Sequence, residues 1–390
     1  MTWQTRYAAT DAERLAFANM LSWAFGTSQE TSRSWLAQPG AQHARLGFVN
    51  AELIAGLLEI PMGQWFGGRR VPTLGIAGVA VSPEARGQGH AVELMRETLR
   101  DARSAGFALS TLYPAAIPLY RNAGYELAGT YCRYETQLSE LPRLDRGLEV
   151  RTIEERNHSA VEATYQRVAA RSSGYLDRGP YVWARVRQPG GSSARGVMAV
   201  SDAGVEGYAY LRQKTRPDSP QHDLELSDFI ADTRDAALTL LSYLARHRST
   251  ATSASWHGTV ADPTLLHLTG GFRVSVEYLW MLRVVDVQSA LLTRGYPAVA
   301  TEVSLEIDDE LLPENAGLYR LKVSDGATGL ERSEGNGDAR LNARALACLY
   351  SGFSSATQLS AAGLLEADPV TLVTLDRLFA GPSPGLADFF

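Results

Sequence analysis

Apolar residues recur along this chain at two spacings, and the switches between them outline its elements. Between Asp11 and Phe25, Leu15, Ala16, Ala18, Leu21 and Ala24 fall at helical spacing, which predicts a capped amphipathic helix. Residues 46–60 and 71–82 are apolar with strand character, and Gly67-Gly68 between them is a hairpin signal. Ala91, Leu94, Met95, Leu99 and Ala102 then share one face of a helix that ends at Gly106. Phe107–Leu112 reads as a buried strand, Ile117–Asn122 as a short helix closed by Gly124, and 125–137 as an alternating strand.

From Glu149 the mixture begins again. A strand is followed by a helix near 158–171, a strand pair at 196–212, a helix over 233–247 capped by Asp232-Thr233, and strands at 273–285. The order matches the first segment, without a glycine-rich strand-to-helix turn. A third unit starts near Ala298, with Val303, Leu305 and Ile307 alternating, a strand at 318–323, and helices at 341–350, 355–363 and 369–379. The chain divides into 1–145, 146–297 and 298–390, each α/β (α+β) in character. Gly381-Pro382-Ser383-Pro384 stops the last helix, and Phe389-Phe390 follows. Two terminal rings are costly to leave in water, so this end is expected to dock and carry the α-carboxylate of Phe390 inside.

Composition narrows the class. With 390 residues, 45% hydrophobic and 21% charged, the chain has material for large cores. A formal charge of −6 argues against a general nucleic-acid binder and suits a cationic small-molecule substrate. No apolar run approaches spanning length, and the first residues lack a signal pattern, so the expectation is a cytoplasmic protein without membrane insertion. Cys132 and Cys348 read as buried reduced thiols. His222, Asp223, Glu225 and Asp228 lack metal-ligand spacing and read as a solvated strand and cap; no metal is expected.

The most informative stretch runs from Leu74 to Ala91. A strand enters the turn Ser82-Pro83-Glu84-Ala85-Arg86-Gly87-Gln88-Gly89, which opens the next helix at His90. The first N–H groups of a helix have no internal partner and lie at the positive end of its dipole. Gly87 and Gly89 allow a ligand close to that backbone, the arrangement a CoA pyrophosphate needs.

Arg86-x-x-Gly89-x-Ala91 is similar to the (Arg/Gln)-x-x-Gly-x-(Gly/Ala) signature of the GCN5-related N-acetyltransferases (GNAT), and Tyr120-Arg121-Asn122-Ala123-Gly124-Tyr125 to their Tyr-x-x-x-Gly-(Phe/Tyr) motif. The whole chain resembles the Eis (enhanced intracellular survival) family of these enzymes, on Arg69–Pro72, Trp280–Val287, Pro313–Gly317, Leu349–Phe353, Ala361–Gly363 and the final Phe390. The resemblance implies tandem GNAT folds, each a mixed sheet flanked by helices, the second lacking the CoA turn. A sterol-carrier-like domain then supplies the terminal carboxylate. It further implies acetylation of amines from acetyl-CoA, with aminoglycosides and polyamines as acceptors, in a cytoplasmic hexamer. By resemblance the main chain at Val79, Ala80 and Val81 pairs with pantetheine. Arg86, Gly87, Gln88, Gly89, His90 and Ala91 hold the pyrophosphate, with His90 at the rim. Phe389 stands where some relatives carry an acidic residue.

Tyr120 is the candidate general acid for the departing sulfur, with Tyr113 and Tyr125 as neighbouring competitors, and the Val81 N–H the candidate oxyanion donor. Among side chains Glu59, on a neighbouring strand, is the best candidate base, whereas the resemblance implies the Phe390 carboxylate, acting directly or through a water relay. A carboxylate of pKa about 3.5 is a poor base for a free ammonium unless burial raises it or it takes a proton made acidic during transfer. Trp23, Phe25, Trp35 and Trp65 are candidate walls for the acceptor. The competing readings are a lipid- or sterol-binding protein with a vestigial CoA domain, and a non-catalytic assembly protein that holds CoA.

Overall fold

The computed structural model of the protein describes residues 2–390 apart from 39, 41, 42, 145, 146, 218 and 325. The division between the first two segments at 145 and 146 lies outside the described residues. The first segment holds β1 (Trp3–Tyr7), α1 (Asp11–Phe25), α2 (Gln29–Leu36), β2 (Ala44–Val49), β3 (Glu52–Phe66), β4 (Arg69–Val81), α3 (His90–Ser104), β5 (Leu109–Leu112), α4 (Ile117–Asn122) and β6 (Glu126–Gln137). The second holds β7 (Glu149–Thr152), α5 (His158–Ala169), β8 (Leu176–Asp177), α6 (Pro180–Arg187), β9 (Arg195–Ser201), β10 (Gly204–Thr215), β11 (His222–Ala231), α7 (Arg234–Ala245), β12 (Ala251–Gly258), β13 (Phe272–Val284) and α8 (Val287–Thr293). The third holds β14 (Thr301–Asp308), β15 (Gly317–Ser324), β16 (Ala327–Ser333), β17 (Ala339–Asn342), α9 (Ala343–Ser351), α10 (Ala356–Ala361), β18 (Leu365–Ala367) and α11 (Pro369–Leu378).

Local chemistry accounts for most boundaries. Thr10 and Thr233 cap α1 and α7 by accepting from Glu13 and Ala236 N–H, and Gly26 ends α1 in the left-handed region. The apolar stretch 46–60 is not one strand. Asn50 and Ala51, both at positive φ, make a tight turn that folds β2 back on β3. Periodicity is silent there because both strands are buried and carry little alternation.

Strands from the first two segments form one sheet of thirteen strands, in the order β1-β2-β3-β4-β5-β13-β6-β12-β11-β10-β9-β7, with β8 added beside β3. The segments are interlocked: β13 lies between β5 and β6, pairing Met281 with Leu112 and Leu279 with Thr130. β6 in turn pairs with β12, from Gln137 beside Ser253 to Cys132 beside Gly258. The third segment has its own sheet, β16-β15-β14-β17-β18, with Leu305, Ile307, Leu321, Leu346 and Leu375 in its core.

The last residues leave the third segment and cross to the large sheet. Thr130 donates to Pro384 O at 3.2 Å and accepts from Leu386 N at 3.0 Å, and Gly385 N donates to Ser173 O at 3.0 Å. Phe390 is buried in the main core with Met62, Leu386 and Trp280. Cys132 and Cys348 are free and buried.

Candidate active site

A cleft opens where two parallel strands part. β4 pairs with β5 only from Thr73 beside Leu109 to Ile76 beside Leu112, and β4 continues to Val81. On its other side Ser82 N donates to Ile54 O at 2.8 Å. Alternation along the strand therefore turns the Val81 N–H to the edge that β5 has left. A register shift against β3 lies just before this, where Gly78 has φ +59°. A Cβ on Gly78 would stand 2.8 Å from the Trp35 ring, so the bulge and the tryptophan close on each other.

Beyond Val81 the chain makes a short turn over Pro83–Ala85 and reaches Gly87 (φ +76°) and Gly89 (φ +84°). A Cβ on either glycine would meet nothing within 4 Å. α3 begins at His90 without a side-chain cap, so the N–H groups of its first turn point outward unpaired. Arg86 Nε donates to Val81 O at 3.3 Å and Gln88 Nε2 to Glu84 O at 3.2 Å, which folds the turn on itself. His90 stacks on Trp3, ring centroids 5.3 Å apart. An open cradle of unpaired amides beside a free strand edge fits the diphosphate and pantetheine of a CoA ester.

A cavity of about 740 Å³ joins this edge. Ile76 to Val79 line one part, Phe25 and Trp35 with residues between Thr27 and Gln38 another, and Tyr113, Tyr120, Phe389 and Phe390 a third, and Glu30 and Arg185 are also in its lining. Phe25 meets Trp35 edge-on at 6.4 Å, and Trp35 Nε1 donates to Tyr181 Oη. Ala80, Val81 and the turn from Arg86 to Ala91 are not in this wall; they continue the cleft toward α3. Trp23 is 74% exposed and takes no part in the cavity, and Trp65 packs in a separate core with Tyr165 and Trp183.

The three tyrosines separate by their partners. Tyr125 Oη donates to Ser110 Oγ at 2.7 Å, and Tyr113 Oη to the main-chain oxygen of Asp388 at 2.5 Å. Burial pushes the Tyr120 phenol up to about 12, with no partner contributing to the shift. Phe390 lies against β4, its ring edge 3.2 Å from where a Cβ on Gly75 would stand. Arg185 Nε donates to Phe389 O at 3.0 Å.

Two expectations need correction. Glu59 is 6% exposed and does not reach the cavity; Arg45 Nε holds its carboxylate at 2.5 Å and Tyr7 Oη donates to it at 2.8 Å. A carboxylate so occupied is committed to a structural ion pair. Asp228 is not solvated: it is buried and bonded to the Arg178 guanidinium, which also holds Asp388. Sequence reasoning missed Arg178 and Arg185, and saw Asp388 only as an acidic residue one place before Phe389, because no local spacing relates the three. The one signal was a charged residue inside an apolar tail. Among the described residues no group of three or more His, Cys, Asp and Glu could hold a metal, and no helix is long and apolar enough to cross a membrane.

Comparison with known proteins bears on the domains that carry this cleft. An acetyltransferase (GNAT) domain model matches residues 6–128, a second matches 174–284, and a sterol carrier protein domain model matches 287–387. The crystal structure of a GCN5-related N-acetyltransferase from Anabaena variabilis is 31% identical, with a TM-score of 0.93 over 100% of both chains. One from Kribbella flavida is 29% identical, with a TM-score of 0.85 over 100% of this chain and 99% of that one. The N-acetyltransferase Eis of Mycobacterium tuberculosis is 28% identical over 80% of this chain and 79% of its own.

Proposed function

This chain belongs to the Eis type of GCN5-related N-acetyltransferases, with two acetyltransferase domains ahead of a sterol-carrier-like domain, and we propose that it acetylates primary amines of small cationic molecules, aminoglycoside- or polyamine-like, by direct transfer in a ternary complex. One observation carries the reading: Tyr120, from the first segment, and Phe390, the last residue of the sequence, line a single cavity on the free edge of β4. The amides of α3 and the turn from Arg86 to Ala91 bind the diphosphate, and the main chain from Val79 to Val81 the pantetheine. Acetyl-CoA, when bound, supplies the activated acetyl group and a thiolate as leaving group.

Each of the chain's own groups has a stated task. Tyr120, kept protonated by burial, donates toward the sulfur as charge builds there. The same burial that raises the phenol also disfavours a free thiolate, so the hydrogen bond to the sulfur strengthens as the C–S bond breaks and the proton follows. Val79 lines the cavity and Val81 does not, which favours the Val79 main chain nearest the acyl oxygen and the Val81 N–H farther along the pantetheine. The Phe390 carboxylate takes the proton of the attacking nitrogen, directly or through water. That nitrogen turns strongly acidic once it is bonded to the acyl carbon, so a weak base suffices. Phe25 and Trp35 offer ring faces, and Glu30 a charge, to the rest of the amine.

The test is thiol release from acetyl-CoA with a panel of aminoglycosides, polyamines and monoamines, and mass spectrometry of the products. Thiol release matched by an acetylated amine supports the proposal; none with any amine sinks it and favours a lipid-binding role. The same reading carries a cytoplasmic hexamer, checked by light scattering of the purified chain and by fractionation.

A further inference from the structure

The central segment repeats the plan of the first, and its strands part in the same way. β11 pairs with β12 in parallel, His222 beside Ala251, Leu224 beside Ala254 and Glu225 beside Ser255, and then the two separate. Two cavities lie at the parted ends. One of about 420 Å³ is bounded by Ile230 of β11, Thr259 after β12, and Pro382 and Ser383. One of about 200 Å³ is bounded by Ser227 of β11, His257 of β12, and Asp388 and Phe389. The last residues of the sequence therefore run through the gap from one cavity to the other, bonded to Thr130 on the way. The path is tight. A Cβ on Gly129 would stand 2.6 Å from Pro384 O, and one on Gly385 2.6 Å from Thr259 Cγ2.

The grip is ionic. Arg178, whose side chain is fully buried, donates through Nε to Asp388 Oδ2 at 3.0 Å and pairs through Nη2 with Asp388 Oδ1 at 2.9 Å. Nη1 and Nη2 also reach Asp228, at 2.5 and 3.1 Å, and Nη1 reaches Tyr208 Oη at 3.2 Å. Four hydrogen bonds and the second ion pair with Asp388 hold the guanidinium, and its face lies 3.7 Å over the Tyr165 ring. Burial alone would lower Arg178, yet the two carboxylates hold it well above its ordinary value. Burial raises Asp388 against the pull of Arg178. A buried charge left unpaired is expensive, so neither side of this pair can drift from the other.

We propose that the strand cleft of the central segment seats the chain's own last residues in place of a cofactor, and that Arg178, braced by Asp228 and bonded to Asp388, is the positioning residue that sets where the Phe390 carboxylate stands. This rests on the reading of that carboxylate as the base. Asp388 is two residues from it, at most about 7 Å along the chain, so releasing Asp388 frees the base to wander. The acetyl-CoA cradle on α3 touches none of these groups.

The experiment compares the full chain with Asp388→Asn, Asp388→Glu, a form lacking Phe390, and the form carrying both Asp388→Asn and the deletion. Turnover, KM for acetyl-CoA and melting temperature are read for each. Asp388→Asn should lower kcat about tenfold or more and leave KM for acetyl-CoA within about twofold, with partial recovery in Asp388→Glu. In the form lacking Phe390 the same substitution should add no further loss, because the carboxylate it positions is gone. An equal loss in both backgrounds, or no loss while the deletion abolishes turnover, overturns the positioning role and leaves the base reading standing. Wild-type turnover without Phe390 removes the base reading itself. Should Asp388→Asn fail to fold, Asp228→Asn, which loosens the guanidinium from its other side, gives the same comparison.

Discussion

Tyr113 donates its hydroxyl to the main-chain oxygen of Asp388 at 2.5 Å, tying the end of β5 to the tail of the sequence. The bond has two effects. It holds the tail against the parting strands, and it occupies the phenol that would otherwise compete with Tyr120 for the cavity. With Tyr125 committed to Ser110, one hydroxyl of the three is left for the sulfur.

Tyr120→Phe should therefore lower kcat by about a hundredfold, in the range of a lost general acid, while KM for acetyl-CoA stays within about twofold. Steady-state thiol release measures both. Wild-type turnover in this variant would exclude Tyr120 from proton delivery.

Adding one glycine after Phe390 keeps the ring against Gly75 but moves the terminal carboxylate by about 3.8 Å. Turnover should drop about a hundredfold at unchanged melting temperature. A fully active extended chain would show that the base is elsewhere.

The pH profile carries a sign. A phenol raised to about 12 stays protonated as pH climbs, so its competence as an acid persists below that value and is lost only above it. kcat/KM should rise as the amine deprotonates and show no alkaline loss up to about pH 10. A falling limb near pH 9 that vanishes in Tyr120→Phe would contradict the shift.

Gly89→Ala puts a methyl into the open cradle at φ +84°. KM for acetyl-CoA should rise about tenfold, equivalent to about 1.4 kcal/mol, with kcat little changed. An unchanged KM would take the diphosphate away from α3.

Glu59→Gln separates structure from chemistry. It breaks a buried pair with Arg45 and should cost about 3 kcal/mol in urea unfolding, with kcat within about twofold of wild type. A large loss of turnover at intact stability would return Glu59 to the list of bases.

How far the chain was legible depended on the range of each relationship. The strand–turn–helix from Leu74 to Ala91 could be read directly, because glycine conformation and unpaired first-turn amides belong to neighbouring residues. The cap at Thr233 was visible for the same reason. The turn at Asn50-Ala51 was hidden by burial of both flanking strands, and β12 passed unnoticed in a stretch of small and polar residues. Trp23 shows the reverse error: an aromatic near the acceptor side of the sequence whose face of α1 points to solvent.

By itself the sequence determined most of the elements, the glycine turn into α3 and the burial of the Phe390 ring, though not of Phe389, which stays 39% exposed, since these follow from spacing, backbone freedom and apolar area. Tertiary structure alone decided that β13 inserts between β5 and β6, that Arg178 joins Asp228 to Asp388, and that Glu59 serves Arg45 instead of the cavity. Those pairings link residues distant in the chain, and only mutual desolvation in a shared interior makes one partner preferable to another.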